Sequence, residues 1–356
     1  MAIPVDATEL RYLTYSRADI CDRTIDTEYL QHDCPLDQTS SRSPSASKMQ
    51  EATASLGRLD RLPLETTQNI LSNLDLGTLT LLRSISRRTN LLVDSLPAYQ
   101  KVVTHCPNGL RALLSTRAAQ YFTAYDLYNA LRAQDCFLCG RFGAFLYLLE
   151  CQRCCWQCLT SSKNLLPITQ ASAQSLYRFD AQTLAKIPAA LNIPGSYGPK
   201  HRRIFPRSGN GGVRVALVAY GAVKNALGTW QGREAMTEVY EKAKLETRIA
   251  FRGPVSEDFM RDMDCMNRDP AGYRAGYGLE PQRFMATVRF PTLMAGADAV
   301  EWGVSCLGCL EKAEDGDEER FWNEQYTIDG MVEHLEQCQK AKHSWTKDRV
   351  RELRRR

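Results

Sequence analysis

The chain has 356 residues, and 45 Lys and Arg against 41 Asp and Glu give it a formal net charge of +4. This balance is too weak to predict a nucleic-acid partner by itself. Hydrophobic residues make up 44% and charged residues 24%, which excludes a wholly disordered or fibrous protein, and the length suggests about two domains. The unusual number is 13 cysteines against 5 histidines.

The N-terminal segment and the apolar runs indicate the compartment. Asp6, Glu9 and Arg11 interrupt the first residues, so that segment has no apolar signal-peptide core. The most apolar runs, residues 142–149 and 213–223, are far shorter than the ~20 residues that span a bilayer. We therefore expect a soluble protein of the cytoplasm, the nucleus or both, with no membrane partner. Thiols stay reduced there, which favours metal binding over disulfides for clustered cysteines.

The N-terminal third is predicted to contain a polar region and then three short helices. Residues 1–57 are polar and are expected to be disordered, apart from a transient helix near residues 7–13. After this region, leucines and isoleucines recur at helical spacing. Asp60 is the expected N-cap of the first helix, Pro63 suits its first turn, and Pro97 is expected to end the third helical run.

The rest of the chain mixes helical and strand patterns. Alternating apolar residues predict strands at 213–219 and 283–291, whereas amphipathic patterns predict helices at 229–249 and 327–342. An acidic loop is expected at 311–320. The expected fold class is therefore α+β, mainly helical with a small β component. The predicted regions are 1–57, disordered; 58–104, three helices; 105–200, helical and cysteine-rich; 201–305, mixed α/β; 306–342, a second cysteine module; and 343–356, a basic tail.

Six cysteines lie between residues 136 and 158. A CxxC turn places two thiolates about one tetrahedral edge apart, and a structural Zn²⁺ site needs four ligands. A second pair follows the first CxxC after fifteen residues, a spacing found in zinc-ribbon-like sites, or after eleven. Four thiolates leave no open position for a substrate, so the expected role is structural. The preferred ligand set, called the first cluster, is Cys136, Cys139, Cys155 and Cys158, and the alternative replaces the last two with Cys151 and Cys154.

A second set of metal-type donors lies near the C-terminus. Cys306 and Cys309 form a CxxC pair, which is followed after 24 residues by His334 and Cys338. His334 and Cys338 are spaced i, i+4, so a helix presents both on one face. We call these four residues the second cluster, and zinc is the predicted metal in both clusters. His343 is an alternative ligand.

The three predicted helices also carry a recognisable motif. The residues concerned are Leu62-Pro63-Leu64-Glu65, Ile70-Leu71, Leu74-Asp75-Leu76, Leu79, Leu82-Arg83 and Ser86-Arg87-Arg88. This segment resembles an F-box, a three-helix motif of ubiquitin-ligase receptors. With the two cysteine clusters after it, the chain resembles a group of filamentous-fungal F-box proteins. The phrases at 139–143, 194–197 and 302–309 carry that second likeness.

The resemblance implies a non-catalytic substrate-recognition subunit of an SCF-type ubiquitin ligase. The F-box would dock the Skp adaptor, and the zinc-stabilised C-terminal region would hold an unknown protein target. The alternative is a zinc-dependent nucleic-acid-binding or regulatory protein, because residues 340–356 hold eight Lys and Arg against two acids. Nucleic acid is the less favoured partner, since no basic-aromatic stripe accompanies the cysteines. The expected adaptor contacts are Leu62, Pro63, Leu64, Ile70, Leu74, Leu79 and Leu82.

Overall fold

The fold is that of a computed structural model of the chain. The helix predicted at 229–249 and the basic tail at 343–356 lie outside the residues that the structure describes. Among the helices that it describes, none is long and apolar enough to cross a membrane. The described residues are 10, 12–15, 57–177, 181–193, 214–226, 281–296, 298–314 and 324–341.

Short capped helices form the first continuous part of the fold. The side chain of Asp75 caps the second helix by accepting from the Thr78 amide at 2.8 Å, and Ser86 and Thr89 form a capping box on the third. The helical unit predicted for this region is confirmed, and a fourth helix follows it. In chain order the elements are β1 (Thr14–Tyr15), a 3-10 turn (Gly57–Arg61), α1 (Leu64–Ser72), α2 (Leu76–Ile85), α3 (Arg87–Asp94) and α4 (Pro97–His105).

Two predictions about helix ends in this region are wrong. Asp60 does not cap α1, because it lies in the 3-10 turn and forms an ion pair with Arg88 at 2.5 Å. Pro63 takes the N-cap position of α1 instead. Pro97 does not end a helix but begins α4, where the N–H that proline lacks would have had no intrahelical partner.

Helices α1–α4 pack against the elements that follow them. The next elements are α5 (Pro107–Ser115), a 3-10 turn (Ala118–Tyr121) and α6 (Ala124–Arg132). The amide of Leu76 donates to the Phe122 carbonyl at 2.8 Å, and Asp75 pairs with Thr123 in an isolated antiparallel bridge. A single hydrophobic core continues from α1 through α6 to the central strands. The first helices are therefore joined to the body by backbone pairing as well as by packing.

Small antiparallel sheets supply the β component, so the α+β fold class is confirmed. A central sheet has the order β3 (Gln152–Cys154), β2 (Phe145–Tyr147), β7 (Thr287–Arg289), and a second sheet has the order β4 (Pro167–Thr169), β6 (Ala216–Ala219), β5 (Ala189–Leu191). The strands predicted at 213–219 and 283–291 are present but shorter, because the first covers only Ala216–Ala219 and the second covers only Thr287–Arg289, after a 3-10 turn that ends at Phe284. The middle elements are β2 (Phe145–Tyr147), β3 (Gln152–Cys154), α7 (Trp156–Ser161), β4 (Pro167–Thr169), α8 (Gln170–Tyr177), α9 (Ala181–Ala185), β5 (Ala189–Leu191), β6 (Ala216–Ala219) and α10 (Tyr220–Ala226).

The C-terminal module has its own small core. Strand β1 pairs with β10 (Ser305–Cys306), so Thr14 and Tyr15 are an exception to the disorder expected for residues 1–57. Part of the acidic loop expected at 311–320 is also helical, because α11 (Leu307–Glu314) extends to Glu314. The last elements are a 3-10 turn (Pro281–Phe284), β7 (Thr287–Arg289), β8 (Thr292–Leu293), β9 (Val300–Glu301), β10 (Ser305–Cys306), α11 (Leu307–Glu314) and α12 (Ile328–Gln337).

Candidate metal centres and exposed apolar face

The first cluster forms where a CxxC turn meets the start of α7. Cys136 lies in a turn closed by its carbonyl, which accepts from the Gly140 amide at 2.9 Å. Cys155 is the N-cap residue of α7, and its Sγ accepts from the Cys158 amide at 3.4 Å. The hairpin β2–β3 carries the second pair of cysteines back to the first. The metal-ligating atoms of Cys136, Cys139, Cys155 and Cys158 all lie within 4.8 Å of one another.

The geometry of the first cluster fits a tetrahedral ion. The Sγ atoms of Cys139 and Cys155 are 3.5 Å apart. A tetrahedron with Zn–S bonds of about 2.3 Å has edges of about 3.8 Å. The side-chain hydrogen bond with Cys155 lowers the pKa of Cys136 to about 4, although burial acts in the opposite direction. For Cys155, the same hydrogen bond and burial both raise the pKa. The four sulfur atoms therefore lie close enough together to surround one tetrahedral ion.

The alternative pair, Cys151 and Cys154, lies elsewhere. Cys154 is fully buried in β3 and Cys151 is buried just before it, and both belong to the hydrophobic core. Burial raises the pKa of Cys151, which keeps its thiol protonated and unreactive. The structure thus brings together the preferred of the two sets. None of the ten cysteines among the described residues forms a disulfide.

The second cluster joins β10, α11 and α12. Cys306 ends β10, Cys309 lies in the first turn of α11, and α12 supplies His334 and the C-cap residue Cys338. Their ligating atoms also lie within 4.8 Å of one another. A Cβ on Gly308 would lie 2.4 Å from the Ala341 backbone nitrogen, so only glycine lets the CxxC turn approach the segment after α12 this closely.

Distances and charges in the second cluster fit a mixed sulfur and nitrogen site. The Sγ of Cys338 is 3.9 Å from that of Cys306 and 4.0 Å from that of Cys309, and Cys309 Sγ is 3.3 Å from His334 Nε2. Burial alone would lower the pKa of His334, but hydrogen bonds with Cys306 and Cys338 raise it to about 9. The ring of Tyr326 stacks on the imidazole at 4.5 Å. His343, the alternative ligand, lies outside the described residues.

Both clusters can therefore hold a metal ion. Four thiolates, or three thiolates and one imidazole, are the donor sets of closed structural zinc sites. Such sites keep no open position for water or substrate, so they stabilise the fold rather than carry out chemistry.

Several apolar side chains in and just before helices α1–α3 are exposed to solvent. Leu62, Leu64 and Ile70 are exposed, with Leu64 at 53%. Pro63 is exposed as well, while Leu74 and Leu82 are partly buried. The sequence predicts these six residues and Leu79 as adaptor contacts, and the prediction for Leu79 is wrong. Its side chain is 0% exposed and packs in the core, so it offers no surface to a partner.

Residues 59–101 match the F-box domain family. No curated protein and no solved structure matches the chain. The match runs from the 3-10 turn into α4 and agrees with the motif identified in the sequence. An F-box implies a role in protein–protein interaction, and F-box proteins are generally non-catalytic adaptors.

The F-box exposes further apolar residues that the sequence analysis did not select. Leu81 and Ile85 on α2 are 63% and 70% exposed, and Leu91 on α3 is exposed too. On α2, Leu81 and Ile85 lie at a different helical phase from Leu79, which faces the core. The sequence does contain a signal for these exposed residues, because α2 has apolar side chains around most of its circumference, whereas a helix with one buried face needs them on one side only. Tyr99, the aromatic residue nearest the end of the motif, is fully buried in α4 and serves the core.

Proposed function

We propose that this protein is the substrate-recognition subunit of an SCF-type ubiquitin ligase. Its F-box docks the Skp adaptor, and its zinc-stabilised body holds a protein target. The observation that carries this proposal is the F-box match at 59–101 together with exposed leucines and isoleucines on the matched helices. Large exposed apolar side chains concentrated in one unit are typical of an interaction surface. The order of F-box, first cluster and second cluster supports placing the chain with the filamentous-fungal F-box proteins.

Zinc is the metal proposed for both clusters. Their sulfur-rich donor sets and near-tetrahedral spacings support this choice, because soft thiolate ligands select zinc over hard cations. In this proposal the ions stabilise the fold of the residues that follow the F-box, and the protein has no catalytic activity of its own. The compartment is then the cytoplasm, the nucleus or both, where SCF-type ligases would meet their targets.

Capture of the adaptor tests the proposed role. Full-length protein is co-expressed with a tagged Skp adaptor, and the captured fraction is measured for wild type and for the triple variant Leu62→Ala, Pro63→Ala and Leu64→Ala. Removing three exposed side chains should reduce capture at least tenfold while folding is retained, because exposed residues contribute little to the core. The matched control is Tyr125→Ala, an equally exposed residue outside the F-box, which should capture like wild type. Undiminished capture by the triple variant would reject this docking face.

A further inference from the structure

A short segment from near the start of the chain completes the core of the C-terminal module. The residues concerned are 10 and 12–15, and we call them the docked segment. Leu10 and Leu13 are 7% and 3% exposed, and they belong to the same buried cluster as Met331 and Leu335 of α12. The module therefore receives part of its core from a distant part of the sequence.

The docked segment begins as a single helical turn. Leu10, Tyr12 and Leu13 have helical backbone, and the Thr14 Oγ1 donates to the Leu10 carbonyl at 2.8 Å. Because Leu10 and Leu13 are three residues apart, the turn presents both side chains on one face. Tyr12 lies between them and is 56% exposed, so the two leucines are the apolar side chains that the turn buries.

The docked segment ends as a strand on a sheet edge. Strand β1 pairs antiparallel with β10, with Thr14 opposite Cys306 and Tyr15 opposite Ser305. Among the described residues these strands form a sheet of two strands. The edge of a strand is a template for pairing with a further segment, since backbone groups provide the hydrogen bonds and side-chain pockets provide the specificity. Here the pocket is the one that the two leucines fill.

The attachment of the docked segment is small. Its core contacts are two buried leucines, and its strand has two residues. The favourable burial of two leucines is largely offset by the conformational entropy that is lost when the segment is ordered. Such a segment stays bound mainly because it belongs to the same chain, which gives it a high effective concentration.

The chain between the docked segment and the F-box is long enough to let the segment leave. Residues 16–56 join it to the 3-10 turn at Gly57–Arg61, and these forty-one residues (56 minus 15) can span up to ~135 Å. Release would expose the edge of β10 and the apolar surface that Leu10 and Leu13 cover. A separate segment with the same side chains could then make the same contacts.

We propose that the C-terminal module is a peptide-docking site, and that the docked segment is an autoinhibitory occupant that a segment of a protein partner displaces. The partner segment has two leucines three residues apart on a helical turn, followed directly by two residues that pair with β10. The identification of that partner as the ligase target rests on the function proposed above, whereas docking itself does not require the adaptor.

Peptide exchange tests the proposal with the full-length protein. A protease recognition sequence replaces residues 42–48, so that the docked segment can be cut from protein that has already folded. The probe is a fluorescein-labelled peptide copy of residues 7–17, and fluorescence anisotropy measures its binding before and after the cut. The probe should bind at least about tenfold more tightly after the cut, because the segment with which it competes is no longer tethered.

Matched peptides test which side chains are recognised. A copy of the probe with Leu10→Asp and Leu13→Asp should bind at least about tenfold more weakly, because both buried side chains become charged. A copy with Tyr12→Asp is the control, because Tyr12 is exposed, and it should bind within about twofold of the probe. A further peptide keeps Leu10, Leu13, Thr14 and Tyr15 and has Ala or Ser elsewhere. It should bind within about fivefold of the probe.

The same changes in the full-length protein provide an independent measurement. The uncut double variant Leu10→Asp and Leu13→Asp should bind the probe as the cut protein does, whereas Tyr12→Asp should exclude it like uncut wild type. Zinc content shows whether the module of the double variant is intact. If this variant loses the second ion, the comparison of cut and uncut protein decides.

Three results would overturn the proposal. The first is equal affinity of the probe before and after the cut, and the second is equal binding of the probe and its Leu10→Asp and Leu13→Asp copy. The third is a cut segment that stays bound through gel filtration and excludes the probe, which would make it a permanent part of the module. Adaptor capture is measured on the same preparations. Absence of probe binding with capture intact rejects the docking site alone, whereas loss of capture with probe binding intact rejects the ligase role alone.

Discussion

Arg153 shows how one residue beside the first cluster organises the body. Its guanidinium is almost fully buried and donates to the carbonyl oxygens of Ala130, Gly143, Phe290 and Pro291. Burial lowers the pKa of Arg153 to about 9, so the side chain stays charged at neutral pH. The four acceptors belong to α6, to the loop before β2 and to the segment after β7. A single cation therefore ties three separate parts of the chain to β3.

Replacing this guanidinium should cost stability. In Arg153→Lys the ammonium is a point donor that cannot reach all four carbonyl groups, so buried acceptors lose their partners. We expect a decrease of about 2–3 kcal/mol in the free energy of unfolding. Urea denaturation of the full-length protein measures this. Arg132→Lys, at an exposed arginine nearby, should change it by less than about 0.5 kcal/mol, and equal effects of the two changes would contradict the argument.

Helix α2 illustrates how one element serves the core and the surface at once. Leu76 and Leu79 face the core and are fully buried, while Leu81 and Ile85 point away from it. Amphipathic spacing alone predicts a single apolar face. The additional apolar residues fit the adaptor-docking surface proposed above.

The two faces of α2 should respond differently to mutation. Leu79→Ala removes buried methyl groups and should destabilise the protein by about 2–5 kcal/mol. Leu81→Ala should leave the stability nearly unchanged, because its side chain is mostly exposed, and should reduce adaptor capture. Thermal unfolding and capture are measured on both variants. A Leu81→Ala protein as unstable as Leu79→Ala would show that the α2 surface is part of the core.

The turn before α7 decides which cysteines lie together in the first cluster. Cys155 caps α7 beside Cys136 and Cys139, whereas Cys154, one residue earlier, points into the core. Alternation along the extended strand β3 sends neighbouring side chains to opposite sides. Adjacent cysteines therefore have different roles.

Metal analysis should distinguish these cysteines. Wild type should contain about two zinc ions per chain, one for each set of four ligands. Cys155→Ser should lose one ion, while Cys151→Ala should keep both. Elemental analysis of the purified proteins measures the content, and retention of the second ion shows that the variant is folded. Loss of an ion from Cys151→Ala equal to that from Cys155→Ser would reject the assigned ligand set.

At the scale of the whole molecule, the modules differ in how much they depend on metal. The helical part and the central sheet share one large core. Among the described residues, the core of the C-terminal module has eight buried members, and three of them are proposed ligands: Leu10, Leu13, Cys306, Cys309, Met331, Leu335, Cys338 and Ala341. A core this small is marginal without a cross-link. The second metal ion should therefore hold its module together.

Removal of zinc should unfold this module first. After treatment with a chelator, amide hydrogen exchange should accelerate in residues 305–314 and 324–341, because the metal-binding free energy stabilises the folded state of this module. Residues 64–132 should keep more of their protection, since the large core that they share with the central sheet contains many apolar residues besides the first-cluster cysteines Cys136 and Cys155. Unchanged protection of 305–314 and 324–341 in verified zinc-free protein would contradict a structural role for the ion.

The sequence alone determined what is encoded over short distances. Helical periodicity predicted the F-box helices, and CxxC and i, i+4 spacings identified both ligand sets, because these patterns follow from turn and helix geometry. Helix ends were less predictable, as Asp60 and Pro97 show, since several polar residues or prolines compete for each cap.

Only the tertiary structure decided what depends on distant packing. The burial of Leu79, the exposure of Leu81 and the choice of Cys155 over Cys151 depend on which surfaces meet when the core forms. The pairing of Thr14 with Cys306 joins residues almost three hundred positions apart, and no local pattern indicates it. Local spacing determines which residues can form a site together, and packing between distant parts of the chain determines which of them lie close enough to do so.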